Sequence, residues 1–177
     1  GDLGDVASLN HPARDLLLRH KTKGVPVALT APPWTSQRKT AAIAQGPHKS
    51  AKQHADFLRE ECTSMMKKGH WVLLPAKLLM DEPELCLSPL GVVPQRDRRP
   101  RTISDYSYFG INDDTEKLAP KDAMQFGKAL QRVLQQIHDA NPRYGPVYMS
   151  KVDIADGFYR IGLRPEDAVR LAVLFPT

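Results

Sequence analysis

Cysteine and long apolar segments are scarce in this chain of 177 residues. The two cysteines, Cys62 and Cys86, lack the spacing of a metal site, so they indicate reduced thiols in an intracellular protein. The most apolar run, residues 71–80, is interrupted by Pro75 and Lys77 and is too short to cross a bilayer. Nothing resembles a signal peptide, a transit peptide or an internal repeat. We therefore expect neither a disulfide-stabilised, nor a membrane-spanning, nor a repeat protein.

Proline is abundant by contrast, and its 15 residues predict a loop-rich chain. The net charge of +5 comes from the first part, because residues 1–80 hold 12 Lys and Arg against 6 Asp and Glu, while residues 81–177 hold 13 against 14. A basic region suits a polyanionic partner, although a merely solvated surface explains the charge equally well. The chain starts with Gly1 and stops just after the strand-like run RLAVLF, so we expect a fragment of a longer protein.

Periodicity and turn signals divide the chain into three predicted regions. These are a basic, loop-rich N-terminal arm, a region of helices and a hairpin, and a final region with strands, at residues 1–47, 48–142 and 143–177. The arm contains one short helical candidate, at about residues 12–23. The second region is expected to contain a helix, a hairpin and a second helix, at residues 50–68, 90–106 and 121–140. The fold class predicted is α+β, with helices packed on an antiparallel sheet.

Local patterns supply further detail for these elements. Ser50 and Gln53 have the spacing of a capping box at the start of the first helix. Its predicted buried face consists of Ala51, Ala55, Leu58, Cys62, Met65 and Met66. The eight residues 94–101 join the hairpin strands, a length that indicates an open loop. In the final region we expect a strand at 147–153, a short helical turn from Pro165 and a buried strand at 171–175.

Asp153 is the one acidic residue in the apolar run that begins at Tyr148. A carboxylate at the end of a buried strand is costly unless it is paired, hydrogen-bonded or bound to a metal. From this stretch alone, a residue that caps the next turn and a metal ligand are equally good interpretations.

The predicted hairpin contains four arginines in a stretch of six positions, Arg96, Arg98, Arg99 and Arg101. The guanidinium fork binds phosphate oxygens in bidentate fashion, so this density suits a phosphate-binding surface. An exposed basic loop without a function is the alternative. A carboxylate at a strand end together with basic groups is half of the arrangement that two-metal phosphoryl transfer requires.

These residues resemble a known family. The segment SKVDIADGFYRIGL, at 150–163, resembles the first catalytic motif of the reverse transcriptases of retroelements, and residues 88–112 resemble their fingers hairpin. The segment 50–69 is similar to the helix that precedes that hairpin. The resemblance covers about residues 48–177 and rests on the order and spacing of the motifs. It implies reverse-transcriptase-like fingers with a partial palm, truncated before the second half of the palm.

The resemblance also implies roles for the residues of the first catalytic motif. Asp153 would bind the catalytic Mg²⁺ or Mn²⁺, assisted by the carbonyl of Ile154. Phe158 matches the aromatic gate that rejects the 2′-hydroxyl of the incoming nucleotide. Asp156 and Gly157 would give backbone N–H groups to the triphosphate, while the side chain of Asp156 would hold the turn.

In the hairpin, Arg101 matches the arginine that grips the α-phosphate. Either Arg96 or Gln95 takes the place of the lysine that reaches the γ-phosphate. Asp105 and Asn112 match residues near the templating base, in a connection that is longer than in retroviral enzymes. The partners expected are an RNA or DNA template-primer and a deoxynucleoside triphosphate.

The later palm motif Tyr-x-Asp-Asp does not occur in this chain. One carboxylate cannot hold two metal ions about 3.5–4 Å apart, so we expect no Mg²⁺-dependent primer extension by the isolated chain. The enzyme class is therefore implied by resemblance alone. The alternatives are a non-catalytic nucleic-acid-binding module that uses the arginine hairpin, and a structural protein in which Asp153 caps a turn.

Overall fold

The computed structural model describes residues 3–116, 129–150 and 154–176, and it is a mixed α+β structure. This confirms the predicted class at the coarse level. The helices are α1 (Gly4–Ala7), α2 (Arg14–Lys23), α3 (Ser36–Gln45), α4 (Lys49–Gln53), α5 (Ala55–Lys67), α6 (Ile111–Asp114) and α7 (Ala129–Asp139). The strands are β1 (Leu87–Gln95), β2 (Arg98–Ser104) and β3 (Ala172–Leu174). Short 3₁₀ helices span Ala76–Leu78, Pro142–Tyr144, Gly157–Arg160 and Pro165–Leu171.

The three strands form one sheet in the order β2-β1-β3. β1 and β2 are antiparallel from Leu90↔Ser104 to Gln95↔Arg98. β3 instead runs parallel to the first half of β1, from Leu87↔Ala172 to Pro89↔Leu174. The sheet is therefore mixed, and the expected antiparallel pairing is confirmed for β1 and β2 only. The long chain segment between β2 and β3 acts as the crossover that a parallel pair requires.

β3 pairs with β1 only as far as Pro89. Beyond Pro89, the start of α4 covers this edge of β1. The backbone N–H of His48 donates to the carbonyl of Leu90 at 2.9 Å, and the N–H of Val92 donates to the hydroxyl of Ser50 at 3.1 Å. The Ser50 hydroxyl therefore binds a strand, and α4 begins before it, at Lys49. The predicted capping box does not form, and the predicted helix 50–68 is divided into α4 and α5 at His54.

Two clusters of buried side chains form the core around this sheet. The first joins α3, the start of β1 and α6, and consists of Trp34, Ala42, Leu85, Cys86, Leu87 and Ile111. The second packs α4 and α5 against β1, and consists of Ala51, Leu58, Leu90 and Val92. The predicted face of the first helix is buried at Ala51, Leu58, Cys62 and Met65, whereas Met66 is exposed.

The sequence pattern did not indicate the helix α3 within residues 1–47. Its N-cap is Thr35, whose side-chain oxygen accepts from the N–H of Arg38, and it follows the buried Trp34. On its inner side the buried Lys39 donates to the carbonyls of Met80 and Glu82 at 3.2 and 2.6 Å. A large aromatic side chain and an ammonium bonded to two backbone carbonyls thus attach this region to the core.

The chain after residue 158 is attached to the N-terminal part by backbone contacts. The N–H of Val25 donates to the carbonyl of Gly162 at 2.8 Å, and the N–H of Arg164 donates to the carbonyl of Val25 at 3.0 Å. Gly24 has a φ of +81°, and its Cα faces the peptide between Leu163 and Arg164. The 3₁₀ helix Pro165–Leu171 and β3 follow, so the helical turn from Pro165 and a strand within 171–175 are confirmed, but β3 is half-buried rather than buried.

The described residues divide into two compact units, one with residues 3–116 and 158–176, the other with 129–150 and 154–157. The second unit contains α7, whose Leu130 and Leu134 are exposed. Residues 147–150 of the predicted strand 147–153 are not in a strand. Residues 151–153 of that prediction lie outside the described residues. The same holds for residues 121–128 of the predicted helix 121–140. No helix in the described part of the chain is long and apolar enough to cross a membrane.

Candidate nucleic-acid interface

The hairpin of β1 and β2 carries the four arginines at its far end. The ladder reaches Gln95↔Arg98, so the turn contains only Arg96 and Asp97. The predicted open loop at 94–101 was therefore wrong, because the strands stay paired past a register shift between Val93 and Gln95. Asp97 adopts a φ of +57°, a left-handed conformation that Asp tolerates better than most residues.

Strand alternation places Arg101 outside the core. Val92 is buried opposite Thr102 on the inner face, while Val93 pairs with Arg101 on the outer face. Arg101 and Arg98 are both exposed, and within the described residues neither makes an ion pair. Arg96 is 97% exposed and lies 3.8 Å from the equally exposed Asp97 carboxylate, a pairing that water screens strongly. Three guanidinium groups at the hairpin end are thus accessible to an anionic ligand.

Arg99 differs from the other three because α5 fixes its position. Its guanidinium lies 2.8 Å from the Glu61 carboxylate and 5.2 Å from the ring centroid of Phe57, one helical turn earlier. Residues four apart lie on the same face of a helix, so α5 presents both groups to one arginine. Arg99 therefore joins the hairpin to the helix, and its charge is partly compensated.

Asp105 and Asn112 each bond to other residues around the turn that follows β2. One Asp105 carboxylate oxygen accepts from the N–H of Tyr108 at 3.1 Å, and the other lies 3.0 Å from Nε2 of His48. The amide of Asn112 donates to the hydroxyl of Ser107 at 2.7 Å. Both side chains stabilise this turn, and the amide of Asn112 remains exposed.

The first catalytic motif is only partly described. Asp153 lies outside the described residues. Ile154 is exposed, and a Cβ added to Gly157 would lie 3.7 Å from the side chain of Ile154. Asp156 adopts a φ of +54°, within a turn at residues 155–156. Phe158 is 90% exposed, so its ring is accessible to a ligand.

The charged groups elsewhere in the described residues do not form a metal centre. No group of three or more His, Cys, Asp or Glu side chains in this part of the chain could hold a metal ion. Both cysteines are buried free thiols. Burial raises the pKa of the Cys86 thiol, and the Glu84 and Asp114 carboxylates act in the same direction while Arg38 and Arg170 oppose them.

The structure places the arginine cluster where the sequence predicted it and adds partners that the sequence did not reveal. The contacts of Glu61 and Phe57 with Arg99, and of His48 with Asp105, depend on how helices pack against the hairpin. The spacing of Phe57 and Glu61 was a visible signal of a shared helix face, but nothing local indicated its partner. No protein-family model, curated protein or solved structure matches the chain.

Proposed function

We propose that the chain is the fingers and the first part of the palm of a retroelement RNA-directed DNA polymerase, in which the hairpin end grips phosphates. The observation that carries the proposal is the exposure of Arg96, Arg98 and Arg101 at the end of a β-hairpin. The sequence resemblance of residues 88–112 and 150–163 supplies the family. Template-directed nucleotidyl transfer in the complete enzyme would use Asp153 as one metal ligand and Phe158 as the sugar gate.

Electrostatics support a nucleic-acid or nucleotide ligand at this end of the molecule. Residues 95–101 contain four arginines and one acidic residue, Asp97, which gives a local charge of 4 − 1 = +3. Since the strands hold Arg98 and Arg101 on a paired ladder, the backbone that carries them needs no further ordering when phosphates bind. Arg99 is the least available of the four because its guanidinium already forms an ion pair with the Glu61 carboxylate.

Binding of a fluorescent RNA–DNA template-primer, measured by anisotropy against salt, tests the proposal. Neutralising Z phosphates gives a log–log salt slope of about −0.9Z on duplex DNA, so Arg98→Gln and Arg101→Gln should each reduce the slope by about 1. Arg14→Gln is the matched control, because it removes one exposed arginine far along the chain from the hairpin. Equal losses for Arg14→Gln and Arg101→Gln would refute a phosphate-binding role for the hairpin.

A non-catalytic nucleic-acid-binding module is the second candidate, and the same exposed arginines favour it. Addition of Mg²⁺ and the complementary deoxynucleotide separates the two functions. A polymerase fingers region should bind the template-primer more tightly with the complementary nucleotide than with a mismatched one, and Asp153→Asn should abolish this difference. A simple binding module should show no nucleotide effect, and Asp153→Asn should leave its affinity unchanged.

A further inference from the structure

A cavity of about 210 Å³ lies between the segment before α3, the start of β1 and α6. Its walls combine the half-buried Leu29, the exposed Pro33 and the buried Trp34 with three charged groups, Glu84, Asp114 and Arg170. None of these residues belongs to the arginine hairpin. An apolar cavity of about 150 Å³ is large enough to bind benzene, so this one has room for an aromatic or branched alkyl group.

Arg170 is already committed to other groups. Its guanidinium bonds to the carboxylate of Glu84 at 2.6 and 2.9 Å, to Asp167 at 3.2 Å and to the backbone carbonyl of Val27. An anionic ligand would have to break this network, and would then face the carboxylates that the guanidinium now neutralises. The cavity therefore disfavours carboxylates and phosphates.

Asp114 is the charged group that is still available. Its backbone carbonyl accepts from the N–H and the hydroxyl of Thr30 at 2.7 and 3.0 Å, which fixes the residue at the cavity wall. Within the described residues its half-buried carboxylate makes no hydrogen bond or ion pair. A partly desolvated carboxylate beside an apolar wall is complementary to a cation with an apolar body.

We propose that this cavity binds a small organic cation, a primary ammonium on an apolar body, with the ammonium on Asp114 and the body against Leu29 and Pro33. Trp34 does not itself offer a cation site, because the Arg38 guanidinium lies 4.1 Å from its ring centroid and Phe109 contacts it edge-on. The ammonium is therefore assigned to the carboxylate. The proposal does not depend on the proposed function.

Benzylammonium is the probe, and the indole N–H resonances of the two tryptophans in a ¹H–¹⁵N NMR titration are the readout. A saturable shift is expected at Trp34, while Trp71, which packs near Tyr159 instead, serves as an internal control. Benzyl alcohol has the same ring without the charge and should bind about tenfold more weakly, whereas benzoate should not bind.

Asp114→Asn should weaken benzylammonium binding about tenfold, to the level of benzyl alcohol. Asp113→Asn is the matched control, because Asp113 is exposed, adjacent in α6 and does not line the cavity. Equal affinity of wild type for benzylammonium and benzyl alcohol would overturn the proposal without any variant. Shifts of equal size at Trp34 and Trp71, or unchanged affinity in a folded Asp114→Asn protein, would overturn it too.

The ammonium could belong to a free amine or to a lysine side chain. A blocked lysine, N-acetyl-lysine methylamide, distinguishes these two ligands, because it carries the ammonium group of a lysine side chain without a free α-amine. Binding as tight as that of benzylammonium would support a lysine of another protein, and weaker binding would support a free amine.

Discussion

Replacement of Gly24 by alanine tests how residues 158–176 are attached to the rest of their unit. Gly24 ends α2 with φ +81° and ψ 161°, a conformation that is nearly restricted to glycine. An alanine Cβ there would lie 2.4 Å from the carbonyl carbon and oxygen of Leu163 and 2.5 Å from the nitrogen of Arg164. Because these are backbone atoms, no side-chain rotation can relieve the collision.

The expected loss follows from two contributions. Holding a non-glycine residue in this region costs about 1–3 kcal/mol. Moving residues 163–164 away from the new methyl group would break the hydrogen bonds on either side of it, Val25 to Gly162 and Arg164 to Val25, at about 1 kcal/mol each. The free energy of unfolding should therefore fall by about 3–5 kcal/mol.

Urea denaturation of Gly24→Ala beside Gly69→Ala measures this loss. Gly69 also has a positive φ, +73°, but an added Cβ would meet nothing within 4 Å, so its substitution should cost only about 1 kcal/mol. Amide hydrogen exchange should also accelerate at residues 158–176 in Gly24→Ala alone. If both variants lost the same stability, the backbone contact between Gly24 and Leu163 could not exist as described.

Three further predictions concern the core. Leu58→Ala should lower the free energy of unfolding, measured by urea denaturation, by about 2–5 kcal/mol, since this side chain is fully buried between α5 and β1. A loss of less than about 1 kcal/mol would contradict that packing. Asp167→Ala should destabilise the protein by about 1–3 kcal/mol more than Asp167→Asn, because asparagine keeps an acceptor for the N–H of Val27. Equal losses of stability in the two variants would argue against this hydrogen bond. Burial raises the pKa of Cys86 above its ordinary value of 9.0 and that of Tyr106 above 10.0. As the pH rises, the unfolded chain therefore releases these two protons before the folded chain does. The free energy of unfolding should decline above about pH 9. Urea titrations that gave a constant value from about pH 8 to about pH 11 would refute this sign.

Features set by local periodicity were the ones the sequence predicted well. The buried positions Leu58, Cys62 and Met65 follow from helical spacing alone, since one face must be apolar wherever the helix packs. The division of this helix at His54 was not predictable in the same way. It accompanies a hydrogen bond from Val92 to Ser50, two residues 42 positions apart, which no local pattern encodes.

The hairpin illustrates the same limit for the candidate site. The two strands and the basic character of their connection were evident, but the turn was expected to be open because eight residues joined the predicted strands. Asp97 instead makes the turn in a left-handed conformation. Three exposed arginines could thus be anticipated, whereas the fixed position of Arg99 required the packing of α5.

The parallel pairing of β1 with β3 has a consequence for synthesis on the ribosome. Leu87 pairs with Ala172, 172 − 87 = 85 residues later, so the hairpin can form long before its third strand has been made. Until then, the other edge of β1 at residues 87–89 has unpaired backbone groups, and such edges recruit strands from other chains. A nascent chain of this protein is therefore most exposed to aggregation between the completion of β2 and the emergence of β3, the interval in which a chaperone would be most effective.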